Sequence, residues 1–168
     1  MGRTLLFALT AGLLLTSVGV APSGASSRRA LRAQAGSATA KAERLIRGCA
    51  NRQRAKRGIP ALRPDHSLGR AARAHARAML EQGFFDHTDP EGRGPGDRVA
   101  RVSRRHWTAV GENIAAGFPT ANDTCARWNR AHLANMLKRS YTHIGAGYAT
   151  GPHGYGRYYV QVFGTLPR

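Results

Sequence analysis

The sequence predicts an α+β fold, with helices first and an antiparallel sheet, built late in the chain, for them to pack on. Three observations carry this. Two runs, one from Lys41 and one from about Leu68, repeat their apolar residues at helical spacing. A third helical region follows near residue 120. The chain then changes period: "THIGAGYA" and "RYYVQVFG" alternate as β-strands do and are joined by the turn-rich "TGPHGYG", which predicts a hairpin.

The first 25 residues fall outside that fold. "MGRTLLFALTAGLLLTSVGVAPSGA" has one basic residue, Arg3, an apolar run from Leu5 to about Val20, and small residues at Ser23-Gly24-Ala25. This is the pattern of a secretory signal cleaved before Ser26. A retained membrane anchor is the alternative, but it needs roughly 20 strongly apolar residues, and this run is interrupted by Thr, Ser and Gly. The mature chain is therefore expected to be secreted, extracellular and without a transmembrane segment. Residues 26–39 are small and basic with no steady period and read as a flexible lead-in; residues 40–168 form a single domain.

Within that domain, Ala42, Leu45, Ile46, Cys49 and Gln53 share a helical face with arginines between them, and Gly58 and Pro60 stop the run. Pro64-Asp65 starts a second helix whose stripe is Leu68, Ala72, His75, Ala76, Met79 and Leu80, and Gly83 ends it. Its alanines invite close approach of another layer. His75, inside the stripe, is expected to be a hydrogen-bonded core histidine. "FFDHTDPEGRGPGDRV" reads as a loop with a short helix starting near Asp97. "TANDTCARWNRAHLANML" reads as one helical region capped by Asn122 or Asp123, with Cys125, Trp128 and His132 on one face. Trp128, Tyr158, Tyr159 and Phe163 are expected to pack in the core or on the sheet. His66, His106, His143 and His153 carry no assigned role.

Lys and Arg total 26 against nine Asp and Glu, a net charge of +17 that becomes +16 once Arg3 leaves with the signal. All but Lys41, Lys56 and Lys138 are arginine. Such a basic protein is drawn to anionic polymers and surfaces. The arginines are spread rather than clustered, which together with export speaks against nucleic acid and leaves anionic envelope polymers or lipids as partners. A basic surface with no partner is the plain alternative. The two cysteines, Cys49 and Cys125, either form a disulfide in an oxidising compartment or stay as buried thiols. Paired, they would close a loop of about 75 residues, worth ~4 kcal/mol in the chain-entropy model.

One of the few acids sits in an odd place. "AVGENIAAG" sets Glu112 in a glycine-flanked, otherwise apolar segment. His87 in "FFDHTDP" and His132 in "RWNRAHLANML" stand out in the same way. Two neutral imidazoles and a carboxylate could hold a divalent ion, zinc foremost, with a position open for water; His87 and His132 are the candidate ligands. The same trio could be a hydrogen-bonded cluster in which Glu112 orients a histidine. Asn113, beside Glu112, is expected to bond the loop backbone.

Four segments, in order, resemble the CAP superfamily of cysteine-rich secretory, antigen 5 and pathogenesis-related 1 proteins (the SCP domain) in its short bacterial, secreted form. "ANRQRAKRGIPALRPDHSLGRAARAHARAMLEQGFFDHTDP" resembles the first half of a bacterial member, and "VGENIAAG" is similar to the Gly-Glu-Asn-Ile/Leu-Ala signature. "RWNRAHLANMLKRSYTHIGAGY" resembles the Trp-to-His helix and Gly-x-Gly strand, and "YYVQVFG" the closing strand. The resemblance implies an α-β-α sandwich with a small sheet flanked by helices, and a cleft lined by two histidines and two acids. His87, Glu112 and His132 match three of those four. For the fourth, expected between the Gly-Glu-Asn motif and the second histidine, that segment offers only Asp123, which suits a helix cap better.

Three functions fit. The first is a secreted CAP-domain protein that binds a ligand or divalent metal in its cleft, without established catalysis. The second is a metal-assisted hydrolase of peptide or cell-surface material, with Glu112 as candidate base; against it, catalytic zinc usually has three protein ligands, and a ligating Glu112 is no longer free as base. The third is a module that binds anionic envelope surfaces.

Overall fold

The structure, a computed structural model, describes residues 24–128 and 130–167. The predicted signal segment lies outside the described residues except for Gly24 and Ala25. Five helices and four strands follow: α1 Gly24–Ala55, β1 Arg63–Pro64, α2 His66–Gln82, α3 Pro95–Val102, β2 Ala109–Ala116, α4 Ala121–Arg127, α5 Arg130–Leu137, β3 His143–Thr150 and β4 Arg157–Thr165. The sheet order is β1-β3-β4-β2. β2, β4 and β3 are antiparallel, as the hairpin predicts, and β1 adds a two-residue parallel edge.

Strand periodicity explains the layers. On β4, Tyr158, Val160 and Val162 join the core shared with α2 and α3, while Tyr159 and Phe163 join the core shared with α1, α4 and α5. Both faces of the sheet are therefore covered, giving an α-β-α sandwich. Trp128, Tyr158, Tyr159 and Phe163 are all buried. β3 meets α2 through Gly145 and Gly147, where a Cβ would overlap the backbone of Leu68–Gly69 and of Ala72. The small residues on both sides let backbone lie on backbone.

Asp65 caps α2 by accepting from the Leu68 amide, and Gly83 closes it in the left-handed conformation, φ 73°. Cys49 and Cys125 are disulfide-bonded, with Cα atoms 5.9 Å apart, so α1 is tied to α4 across 76 residues.

Four expectations change. Residues 26–39 are not a flexible lead-in: they continue α1, because this Ala- and Arg-rich stretch is made of good helix formers, although residues 24–38 are all exposed. The third helical region is two helices, since Trp128 leaves α4 with extended backbone (φ −64°, ψ 116°) and is pulled into the core. The α4 cap is Thr120, whose hydroxyl accepts from the Asp123 amide and donates to its carboxylate at 2.7 Å. Finally, the Glu112 segment is a strand rather than a loop.

Candidate functional site

β2 is an edge strand, and its alternation decides what each residue meets. Glu112 and Ile114 face α2 and α3; Asn113 and Ala115 face α1 and α5. The Glu112 side chain is 1% exposed. Its Oε2 accepts from Arg98 Nη2 at 2.8 Å, and its Oε1 accepts from His87 Nδ1 at 2.9 Å. Arg98 also donates to the Arg93 carbonyl and is itself buried. The carboxylate is therefore desolvated but matched by a guanidinium and an imidazole, the arrangement a buried charge requires.

The two histidines near Glu112 behave differently. His75 Nε2 lies 3.7 Å from Oε1 but donates to the Asp86 carbonyl at 2.9 Å. That bond fixes the Nε2–H tautomer. Burial pushes the His75 pKa below its ordinary value, so the ring is neutral, and its Nδ1 is buried without a hydrogen-bond partner. His87 is 55% exposed on its side chain. Its hydrogen bond to Glu112 raises its pKa against the opposing effect of partial burial. With Nδ1 committed to the carboxylate, Nε2 is the nitrogen left for a ligand.

The opposite face of β2 carries a second polar network. Asn113 Nδ2 donates to the His132 carbonyl and to Gln161 Oε1, each at 3.0 Å. Asn135 Nδ2 donates to Asn113 Oδ1 and to the Glu112 carbonyl, each at 2.9 Å. His132 Nε2 sits 3.3 Å from the Ile114 carbonyl, and its ring stacks on Trp128 with centroids 5.8 Å apart. Burial lowers the His132 pKa, the backbone contact opposes this, and nearby His87 adds to it. Residues of α5 thus cap the free edge of β2, since Glu112 and Ile114 lie two apart and offer their carbonyls on the same side.

Of the sequence candidates, His87 and Glu112 are in direct contact. His132 reaches the same strand, but at the Ile114 backbone rather than at the carboxylate. Asn113 bonds a helix carbonyl and two side chains, not loop backbone. Among the described residues no group of three or more His, Cys, Asp or Glu side chains is disposed to hold a metal. Each Glu112 oxygen already accepts one hydrogen bond and the side chain is 1% exposed, so a metal drawn to it would compete with Arg98 and His87. A metal would be left with His87 and His132, too few for an ordinary catalytic zinc.

Arg98 and His75 are the residues sequence reasoning missed. A buried arginine leaves no mark in a chain this rich in arginine. His75 was legible as buried but not as Glu112's neighbour. On the α2/α3 side, His75, Arg98, Asp89 and Arg93 line a cavity of about 180 Å³. Asp89 there is held by Arg93 Nε at 2.7 Å, and Asp123 serves the α4 cap, so neither is a free second acid.

A three-layer sandwich with a histidine-held glutamate on its edge strand defines the class to which the comparisons also lead. The profile of the Cysteine-rich secretory protein family (CAP) matches residues 48–163, and the chain belongs to that family. It is 34% identical over 108 residues to the uncharacterized Bacillus subtilis protein YkwD, covering 63% of this chain and 42% of that one. An extracellular SCP-domain protein from Bacillus anthracis superposes with TM-score 0.68 at 26% identity, over 76% of this chain and 41% of that one. An outer surface protein from Borrelia burgdorferi shares the fold with TM-score 0.66 at 19% identity, over 74% of this chain and 92% of that one. The chain spans less than half the length of the curated relatives it matches.

Proposed function

We propose that this chain is an exported binding protein that meets its ligand through His87, with Glu112 as the buried charge that holds and polarises that ring. One observation carries the reading: the carboxylate is 1% exposed while the imidazole on it is 55% exposed. With Nδ1–H given to Glu112, the exposed Nε2 is an acceptor while the ring is neutral and an N–H donor once the ring is protonated, the form that Glu112 favours. A ligand offering an acceptor oxygen, such as a carboxylate or amide carbonyl, suits it. Export is supported by the residue 1–25 pattern and by the likeness to an extracellular SCP-domain protein of Bacillus anthracis.

Turnover is less well supported. Glu112 is buried and paired with Arg98, so the exposed group that could act as base in a hydrolytic role is His87.

The test follows the His87 imidazole by NMR while muropeptides, which carry both carboxylates and acetamido carbonyls, are titrated in; zinc chloride is titrated separately. The reading expects a saturable shift at His87 Nε2 that disappears in His87→Ala and weakens in Glu112→Gln. If His87 stays silent to the muropeptides, the reading fails. Zinc binding lost in both His87→Ala and His132→Ala but kept in Glu112→Gln would replace it with a two-histidine metal site.

A further inference from the structure

The acids of this chain are few and placed selectively. Glu43 pairs with Arg73, Asp65 with Arg105, Asp89 with Arg93 and Glu112 with Arg98. At one end of the sheet, Arg54, Arg63, Arg139 and His143 border an open groove of about 500 Å³, walled by Tyr141 and Leu166 among others, with no Asp or Glu in its lining among the described residues.

Sequence and topology bring these basic residues together, and burial, with help from Arg105 and Arg63, holds the His143 pKa below its ordinary value. Arg63 on β1 and His143 on β3 are register partners in a parallel pair, so they stand side by side. Arg139 follows α5. Arg54 enters from α1 and is 2% exposed. Its guanidinium donates to the carbonyls of Pro60, Met136, Lys138 and Tyr141 at 2.7–3.2 Å, which ties the α1 and α5 ends together but gives it no carboxylate. Burial and the nearby Arg139 both lower the Arg54 pKa, as uncompensated positive charge must. Arg63 and Arg139 make no side-chain hydrogen bond or ion pair among the described residues. Asp65 acts on His143 from outside the groove, and Arg105 holds it at 3.2 Å.

We infer that this groove, bordered by Arg63, Arg139 and His143 and braced from below by Arg54, is a second binding site, separate from the His87–Glu112 pair, for the phosphate ester of a glycerol-phosphate-type ligand. Arg63 and Arg139 reach the groove from different segments with guanidinium donors that no acid holds among the described residues, and two such forks suit the acceptor oxygens of a tetrahedral phosphate better than a planar carboxylate. The apolar wall accommodates the organic body that carries the phosphate. The groove shares no lining residue with the His87–Glu112 pair. It would give the net charge of +17 a defined point of contact rather than a diffuse one.

Glycerol 1-phosphate is titrated into the purified protein at constant ionic strength, with the His143 imidazole and the Arg63 and Arg139 Nε–H signals followed by NMR. Saturable shifts at all three are expected, and Arg63→Gln/Arg139→Gln should weaken binding about tenfold, the scale of two lost ion pairs. Arg28→Gln/Arg32→Gln removes the same charge from the exposed part of α1 and should weaken it less than twofold. Equal loss in the two double variants, or no saturable shift at His143, overturns the proposal by reducing it to net charge. His87→Ala, which removes an exposed ring and leaves the Glu112–Arg98 pair in place, should leave groove binding intact, so failure of the His87 reading is scored separately. Poly(glycerol phosphate) and phosphatidylglycerol vesicles, compared in the same variants, then distinguish a polymer from a lipid headgroup as the source.

Discussion

Glu112 shows how one side chain can be costly and still settled. Taking a carboxylate out of water costs several kcal/mol, returned only if partners satisfy it well. Here Arg98 takes one oxygen and His87 the other. Replacing Glu112 by Gln keeps the shape but leaves a buried guanidinium without its counter-charge, so stability should fall by about 3 kcal/mol or more. Urea denaturation measures this, and the His87 pKa, raised in the native protein, should drop in the same variant when followed by NMR. Unchanged stability would mean that water, not Glu112, neutralises Arg98. The sequence exposed this site only in part, for physical reasons. Glu112 and His87 were legible because each is a polar residue in apolar or turn-rich surroundings. Arg98 was not, because its helix looks like any other arginine-bearing surface helix. His132 was legible as a polar residue in apolar surroundings, but its contact with the Ile114 carbonyl, rather than with Glu112, depends on the break at Trp128, which no local pattern announces.

At the scale of elements, the close contact is β3 on α2. Ala146 and Ile144 fill one face of the strand, and Gly145 and Gly147 leave the other bare, so that the α2 backbone lies directly on it. Gly145→Ala would place a methyl group inside the Leu68–Gly69 backbone, which cannot swing aside as a side chain would. Overpacking of this kind costs typically 1–3 kcal/mol and more when backbone must move; about 3 kcal/mol is expected by chemical denaturation, with α2 displaced. Gly96→Ala, where the new methyl group meets open space, is the control and should stay within about 0.5 kcal/mol. The hairpin and α2 were readable because period and caps agree along them. β2 was not, because Gly111, Glu112 and Asn113 are poor strand formers; β4 on one side and the α5 caps on the other make it a strand. The start of α1 was misread for the opposite reason: its helix propensity was there, but no apolar stripe marked it.

The whole molecule is tuned against acid. Burial lowers the pKa of His75, His132 and His143 from 6.5, so below that pH the unfolded chain binds protons that the native rings resist. For these three, stability is present above the unfolded value and is lost as pH falls. His87 runs the other way. Its pKa is raised by Glu112, so its contribution is present below 6.5 and fades as pH climbs through the folded value. The three outweigh the one, because His87 is half-exposed and its pair is screened, whereas His75 is buried. Thermal unfolding followed by circular dichroism should therefore show Tm falling by several degrees between pH 7 and pH 5. Acidification also protonates carboxylates and increases repulsion in a chain already at +17, so the decline alone does not single out histidine. His75→Gln separates the two causes. Glutamine can still donate to the Asp86 carbonyl but cannot be protonated, so the decline should flatten relative to wild type; an identical slope would assign acid sensitivity to the excess positive charge instead.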